Sequence, residues 1–163
     1  MSLRFFLIFI VLIPVQAYGS ANYKNSDFEI KLNSDWTRTV LIGVDHLYFE
    51  SQSRNVSLKI ETFHLTVKPD NFVSMARKLI DSGIKNEIRD NKTVSITIKD
   101  ETVSPLKTGM KATYSGRDST KRSFKMIGFI QENKVIYLYF ETPTQNERQL
   151  ESVIDEVLFG FIY

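Results

Sequence analysis

The stretch Val135-Ile136-Tyr137-Leu138-Tyr139-Phe140 is apolar at both of its phases. Side chains alternate across a strand, so Val135, Tyr137 and Tyr139 project to one side and Ile136, Leu138 and Phe140 to the other. A strand with two apolar faces needs cover on both, which restricts the chain to architectures with a sheet in the middle and a packed layer on each side. Other runs supply the rest of that sheet. Phe28, Ile30 and Leu32 alternate with Glu29 and Lys31, and Val94, Ile96 and Ile98 with Ser95, Thr97 and Lys99, the period-2 pattern of half-buried strands. Residues 47–51 and 56–65 flank the polar run Gln52-Ser53-Arg54-Asn55 as a hairpin, and 109–116 and 123–131 form two further strands around a polar turn. Trp36, close behind the first strand, is expected as a plug over the sheet edge.

Two amphipathic stretches provide the covering layers. Phe72, Met75, Ala76, Leu79, Ile80, Ile84 and Ile88 recur at helical steps, with Pro69 and Asp70 suited to the first turn, Gly83 a mild interruption and Asp90-Asn91 a stop. Thr144-Gln145-Asn146-Glu147 has the spacing of a capping box. Leu150, Val153, Ile154, Val157, Leu158 and Phe161 then stripe a second helix. Helices this far apart in sequence can cover opposite faces of one sheet. The expected class is α+β, a three-layer α-β-α sandwich with two main helices on a mostly antiparallel sheet of about six or seven strands, in one domain over 22–163.

Residues 1–17 have the layout of a secretory signal peptide: Arg4, the apolar run 5–13, then the small-residue pattern Val15-Gln16-Ala17, with later cleavage positions as far as Ala21. Pro14 and Gln16 break the run well short of the ~20 residues that span a bilayer. The expectation is an exported protein, periplasmic or secreted, without a membrane span once the signal is removed. The chain has no cysteine, so disulfides, thiolate metal sites, a thiol nucleophile and the lipid-bearing cysteine of a lipoprotein are all excluded.

Motifs for catalysis are missing: there is no Gly-x-Ser-x-Gly elbow, no Ser-x-x-Lys in a supporting context, no Gly-rich phosphate loop and no calcium loop. The only two histidines are His46 and His64. If His46 opposes Ile60, the two share a face about 13 Å apart at ~3.3 Å per residue, and a one-residue shift sends them to opposite faces. Neither register lets them share a metal at ~2.0–2.1 Å. His64, in phase with Val56, Leu58 and Ile60, is expected to cap a core face, and His46 to lie on the surface. Glu29 and Glu61 fall on strands that can be neighbours, but alternating Lys31 and Lys59 predict a solvated, charge-mixed face. Asn55-Val56-Ser57 and Asn91-Lys92-Thr93 match the glycosylation sequon, a triplet common by chance. No catalytic, cofactor-binding or metal-binding residue is assigned.

The net charge of +2 hides an asymmetry. Lys107, Lys111, Arg117, Lys121, Arg122 and Lys125 face a single acid, Asp118, whereas Glu147, Glu151, Asp155 and Glu156 of the last helix face Arg148. The six bases are the candidate docking surface for an anionic protein partner, since charge complementarity steers association. The plainer reading is a solvated hairpin tip blunted by lysine against edge pairing. Nucleic acid is not expected, because no aromatic alternates with these charges on an exposed strand.

The layout Phe28-x-Ile30-x-Leu32 then Trp36, a hairpin, a helix over 72–88, a strand pair around Gly109 and Tyr114, the strand carrying Tyr137 and a last helix ending in Leu158-Phe159 resembles the PsbP-like family. That family includes the extrinsic oxygen-evolving-complex proteins and the bacterial periplasmic DcrB-like group. The resemblance implies an α-β-α sandwich that works by binding and assembly rather than catalysis, with no catalytic residue to carry over. The chain departs from the lipoprotein members in lacking their cysteine, and from plastid members in its short leader. The first functional expectation is an exported, soluble, non-catalytic protein that binds another protein, as an envelope accessory factor or an immunity protein against a toxin. The second is a carrier of a small molecule or lipid in a cleft between sheet and helix, suggested by Tyr114, Phe124, Tyr137, Tyr139 and Phe140. A hydrolase ranks behind both.

Overall fold

The computed structural model describes residues 22–39, 46–90 and 94–163. The signal peptide, its cleavage positions, the second sequon and the stop expected at Asn91 lie outside the described residues. The elements run β1 (Tyr23–Lys24), β2 (Glu29–Ile30), β3 (Trp36–Thr39), β4 (Leu47–Ser51), β5 (Val56–His64), α1 (Phe72–Asp90), β6 (Ile96–Leu106), β7 (Gly109–Asp118), β8 (Arg122–Ile130), β9 (Lys134–Pro143), a 3₁₀ turn (Thr144–Asn146), α2 (Glu147–Phe159) and β10 (Phe161–Ile162). Strands β3-β4-β5-β9-β8-β7-β6 form a seven-stranded sheet in which every neighbouring pair is antiparallel. A small sheet, β1-β2-β10, stands apart from it.

The two apolar phases of β9 enter two different cores. Ile136, Leu138 and Phe140 join Phe49, Leu58, Ile60, Ile127 and Phe129 beneath Leu150, Val153, Ile154 and Val157 of α2, and the small sheet closes this layer with Ile30 and Phe161. On the other face Tyr114, Phe124, Met126 and Val135 meet Ala76 and Ile80 of α1. Helix α1 lies over β6, β7 and β8. Gly128 makes that seat possible, since a Cβ there would stand 2.6 Å from Leu79 Cδ2. The layered α+β architecture is thus the one expected from β9. Among the described residues no helix is long and apolar enough to cross a membrane.

Several local expectations are corrected. Phe28, Ile30 and Leu32 are buried as predicted, but their strand is short and pairs with β10 rather than joining the main sheet; alternation reports a buried face, not the sheet to which it belongs. Trp36 does not plug the edge from outside: it begins edge strand β3 opposite Ser51, fully buried, with the Arg54 guanidinium 5.4 Å from its ring centre. Strand β6 outlasts the Ile96/Ile98 alternation because it is an edge, where a register shift between Ile98 and Asp100 and the later Pro105 are tolerated. Helix α1 starts after Pro69 and Asp70, and Asn71 Oδ1 caps it by accepting the Ser74 N–H at 2.9 Å. No capping box forms at α2, because the Glu147 carboxylate is drawn to Lys99 and Arg117 on the sheet. Phe161 lies in β10, beyond the helix whose stripe it continues.

Candidate functional site

Because α1 lies over β6 to β8, the same face of β5 and β9 has a helix on one side only. The result is a cleft of ≈ 490 Å³, floored by Lys59, Glu61 and Phe63 of β5 with Tyr137, Tyr139 and Glu141 of β9, and walled by Leu79, Gly83, Asn86 and Glu87 of α1. Strand register assembles the floor: Lys59 lies opposite Tyr139, Glu61 opposite Tyr137 and Tyr48 of β4 opposite Lys59. Gly83 admits Tyr114 from below, since a Cβ at that position would come within 2.6 Å of its ring. A second basin of ≈ 430 Å³, toward the β4–β5 and β7–β8 turns, shares Tyr48, Ser57, Arg122 and Glu141 with the first.

Arg122 closes one end of the cleft. Its Nε donates to Asp118 Oδ2 at 2.7 Å, its Nη2 to Glu87 Oε2 at 2.8 Å, and its Nη1 to Glu141 and, at 3.2 Å, to the Tyr139 hydroxyl. Tyr139 in turn donates its O–H to Glu87, and the guanidinium carbon stands 5.1 Å from the centre of the Phe124 ring. Burial alone would lower the Arg122 pKa, but the hydrogen bond to Asp118 and the fields of Tyr139 and Glu141 outweigh it and move it up. Burial likewise pushes Asp118 up, and its hydrogen bonds with Thr120 and Arg122 bring it below its usual value. The tyrosines are driven upward chiefly by burial: Tyr114 and Tyr139 strongly, Tyr137 to about 12 with help from Glu61 and Glu87. At neutral pH the cleft therefore presents uncharged phenols between carboxylates. Among the described residues no three His, Asp or Glu side chains are placed to hold a metal ion.

The six candidate bases do not form one patch. Even positions of β7 and β8 face α1 and odd positions face α2, as Tyr114 opposite Met126 and Ser115 opposite Lys125 illustrate. Arg117 and Lys125 accordingly reach the acidic helix, Arg117 pairing with Glu147 and Lys125 with Glu151 at 2.7 Å. Arg122 faces the cleft. Lys121 is exposed on the β7–β8 turn at φ 67°, while Lys107 and Lys111 lie at the opposite end of β7. Of the aromatic set, Tyr114, Tyr137 and Tyr139 line the cleft, Phe124 packs beneath Tyr139 with ring centres 6.1 Å apart, and Phe140 belongs to the core on the far face.

The histidines follow the register in which Leu47 opposes Ile60, which sends them to opposite faces. His64 does not cap a core: at the end of β5 its side chain is 66% exposed, 3.3 Å from Asp27. His46 is not on the open surface but largely covered, 3.6 Å from Glu61. Glu29 pairs with Lys24 and Lys31 on the small sheet and Glu61 with Lys59, so the two carboxylates do not converge. Lys59, Glu87 and Glu141 entered no sequence-based site. The available signal was phase: Lys59 and Glu61 occupy the same face of β5 as Phe63, and Glu87 stands one helical turn beyond Gly83.

No family model matches the chain, and no curated protein sequence matches it either. Among solved structures, the solution structure of cyanobacterial PsbP (CyanoP) from Synechocystis sp. PCC 6803 superimposes with a TM-score of 0.65 over 86% of this chain and 90% of its own, at 14% identity. A crystal structure from Bacteroides thetaiotaomicron overlaps 83% of this chain and 44% of its own at 14% identity, with a TM-score of 0.45, too loose to bear on the fold. The order of elements that suggested the resemblance in the sequence is the order found in space: the chain has a PsbP-like fold.

Proposed function

We propose that this is an exported, non-catalytic binding protein that receives its ligand in the cleft between α1 and the part of the sheet beside it. One observation carries the reading: the phase of β9 that looked like core places Tyr137 and Tyr139, half-buried, in a ≈ 490 Å³ cleft with three glutamates, rather than under a helix. Concave sites of this size, mostly apolar with a few convergent polar groups, are where small ligands and side chains of partners bind. The tripartite pattern of residues 1–17 supports export. Of the two functional expectations, the cleft favours the carrier reading over docking on the basic hairpin, half of whose charges are engaged within the molecule. A protein partner stays in the proposal as a source of the group that enters the cleft, in the setting of an envelope accessory or immunity protein.

Native mass spectrometry on protein recovered from its own compartment tests this. Mass in excess of the polypeptide, lost in a Tyr137→Leu variant, is the expected result; the bare chain alone, with no species captured on adding extract from that compartment, would refute it. Sequencing the amino terminus of the same material reads export directly, with a start between residues 18 and 22 expected and Met1 retained as the contrary outcome.

A further inference from the structure

We infer that the group the cleft takes is an organic cation, an ammonium or guanidinium, held against the tyrosine rings and among Glu61, Glu87 and Glu141. The inference rests on the cleft being the binding site and adds the chemistry of its ligand. Charge is the first ground. Among the described residues the lining carries those three carboxylates against two bases, Lys59 and Arg122, and His46 stands 3.6 Å from Glu61 outside that lining. Asp118, whose side chain is 2% exposed, adds a fourth carboxylate behind Arg122 and engages its Nε. An entering anion meets that negative excess in a partly water-excluded space, where like charges repel strongly, and an entering cation is attracted by it.

The lining chemistry is the second ground. Tyr48, Tyr137, Tyr139 and Tyr114 are neutral phenols around the cavity, and Phe63 meets Tyr137 edge-on at 6.4 Å near its mouth. Rings of this kind attract cations through their negative faces, the more so where water is thinned. The molecule also holds an example of the complex. Arg122, at one end of the same cleft, is a guanidinium set among three carboxylates, the Tyr139 hydroxyl and the Phe124 ring. At the other end Glu61 stands opposite Tyr137 beside Phe63, with Lys59, itself 36% exposed, 2.7 Å away and His46 at 3.6 Å, and a second cation entering there would displace Lys59 toward solvent.

The cation has two possible sources, a free amine or a basic side chain of a polypeptide. Isothermal titration of the purified protein with agmatine, tetralysine, glucose and glutarate separates them. Binding of agmatine points to a free amine and binding of tetralysine alone to a polypeptide; either supports the inference when Glu61→Gln and Tyr137→Leu each weaken it about tenfold and Tyr137→Phe, which keeps the ring, does not. Cation binding that both weakening variants leave unchanged lies elsewhere and overturns it. Glucose or glutarate binding while both cations are silent overturns the cation but leaves the cleft as the ligand site. Silence of all four probes overturns the cation and leaves the cleft to be judged by the native mass spectrometry.

Discussion

The two faces of the main sheet are built from the same strands yet finished differently. On the α2 face the helix and the small sheet together seal a continuous apolar core in which Phe49, Leu58, Ile136, Leu138 and Phe140 have no exposed surface. On the α1 face a single helix lies over β6 to β8 and the β5–β9 floor beside it stays open to solvent. Charged side chains follow the same division. Those on the sealed side tie α2 to the sheet through Lys99, Arg117 and Lys125, whereas those on the open side gather around Arg122 and Glu61 in the cleft. One face is closed over by a helix and a second sheet, and the other gives up part of its cover and leaves a cleft.

The most severe way to break this contrast is to substitute neighbours on β9. Leu138→Ala removes a fully buried side chain from the sealed core and should cost about 2–5 kcal/mol, read as a lowered midpoint in urea with an unchanged slope. Tyr137→Leu, one residue away on the open face, should cost under about 1.5 kcal/mol; equal losses would mean the faces are packed alike. Arg122→Met leaves Glu87, Asp118 and Glu141 without their shared cation, and a loss of about 2–3 kcal/mol is expected for a side chain still 23% exposed. Gly83→Ala should cost about 1–2 kcal/mol by pressing on the Tyr114 ring, with Tyr114→Ala recovering part of it in the double variant.

Smaller effects sharpen the comparison. The Asp118 pKa is depressed in the folded protein, so the stability it contributes is complete above the ordinary carboxylate value of 3.8 and fades as pH falls through the lower folded value. Asp118→Asn should remove that part of the acid dependence, which urea midpoints measured from pH 5 downward would display. Glu151→Gln, at a pair whose acid is 64% exposed, should change stability by less than about 0.5 kcal/mol. A larger effect would show that the ties to α2 carry weight on the sealed face.

Much of the architecture was legible because periodicity reports burial. The double apolar phase of β9 implied three layers, and the stripes of α1 and α2 identified the covers. The cleft was harder to read for a physical reason: Tyr137 and Tyr139 count as apolar whether they sit under a helix or beside one, and only the lateral position of α1 decides between the two. That position depends on which strand lies next to which, and the adjacency of β5 and β9 is a long-range pairing that no local pattern encodes. The basic hairpin illustrates the same point. Its residues lie close together in sequence, between Lys107 and Lys125, but strand phase sends Arg117 and Lys125 to α2 and Arg122 to α1.

The pairing of β5 with β9 has a kinetic consequence. The main sheet consists of two runs of strands consecutive in the chain, β3-β4-β5 and β6-β7-β8-β9, and within the sheet they meet along this seam, where Ser57 lies opposite Glu141. Such distant contacts form after the local ones, because closing the intervening chain costs entropy that neighbouring pairings do not incur. The seam runs along the floor of the cleft, through Lys59 with Tyr139 and Glu61 with Tyr137. A guest seated in the cleft as proposed would touch both halves of this junction and favour its closed form, acting as a clasp on the native state as well as a cargo.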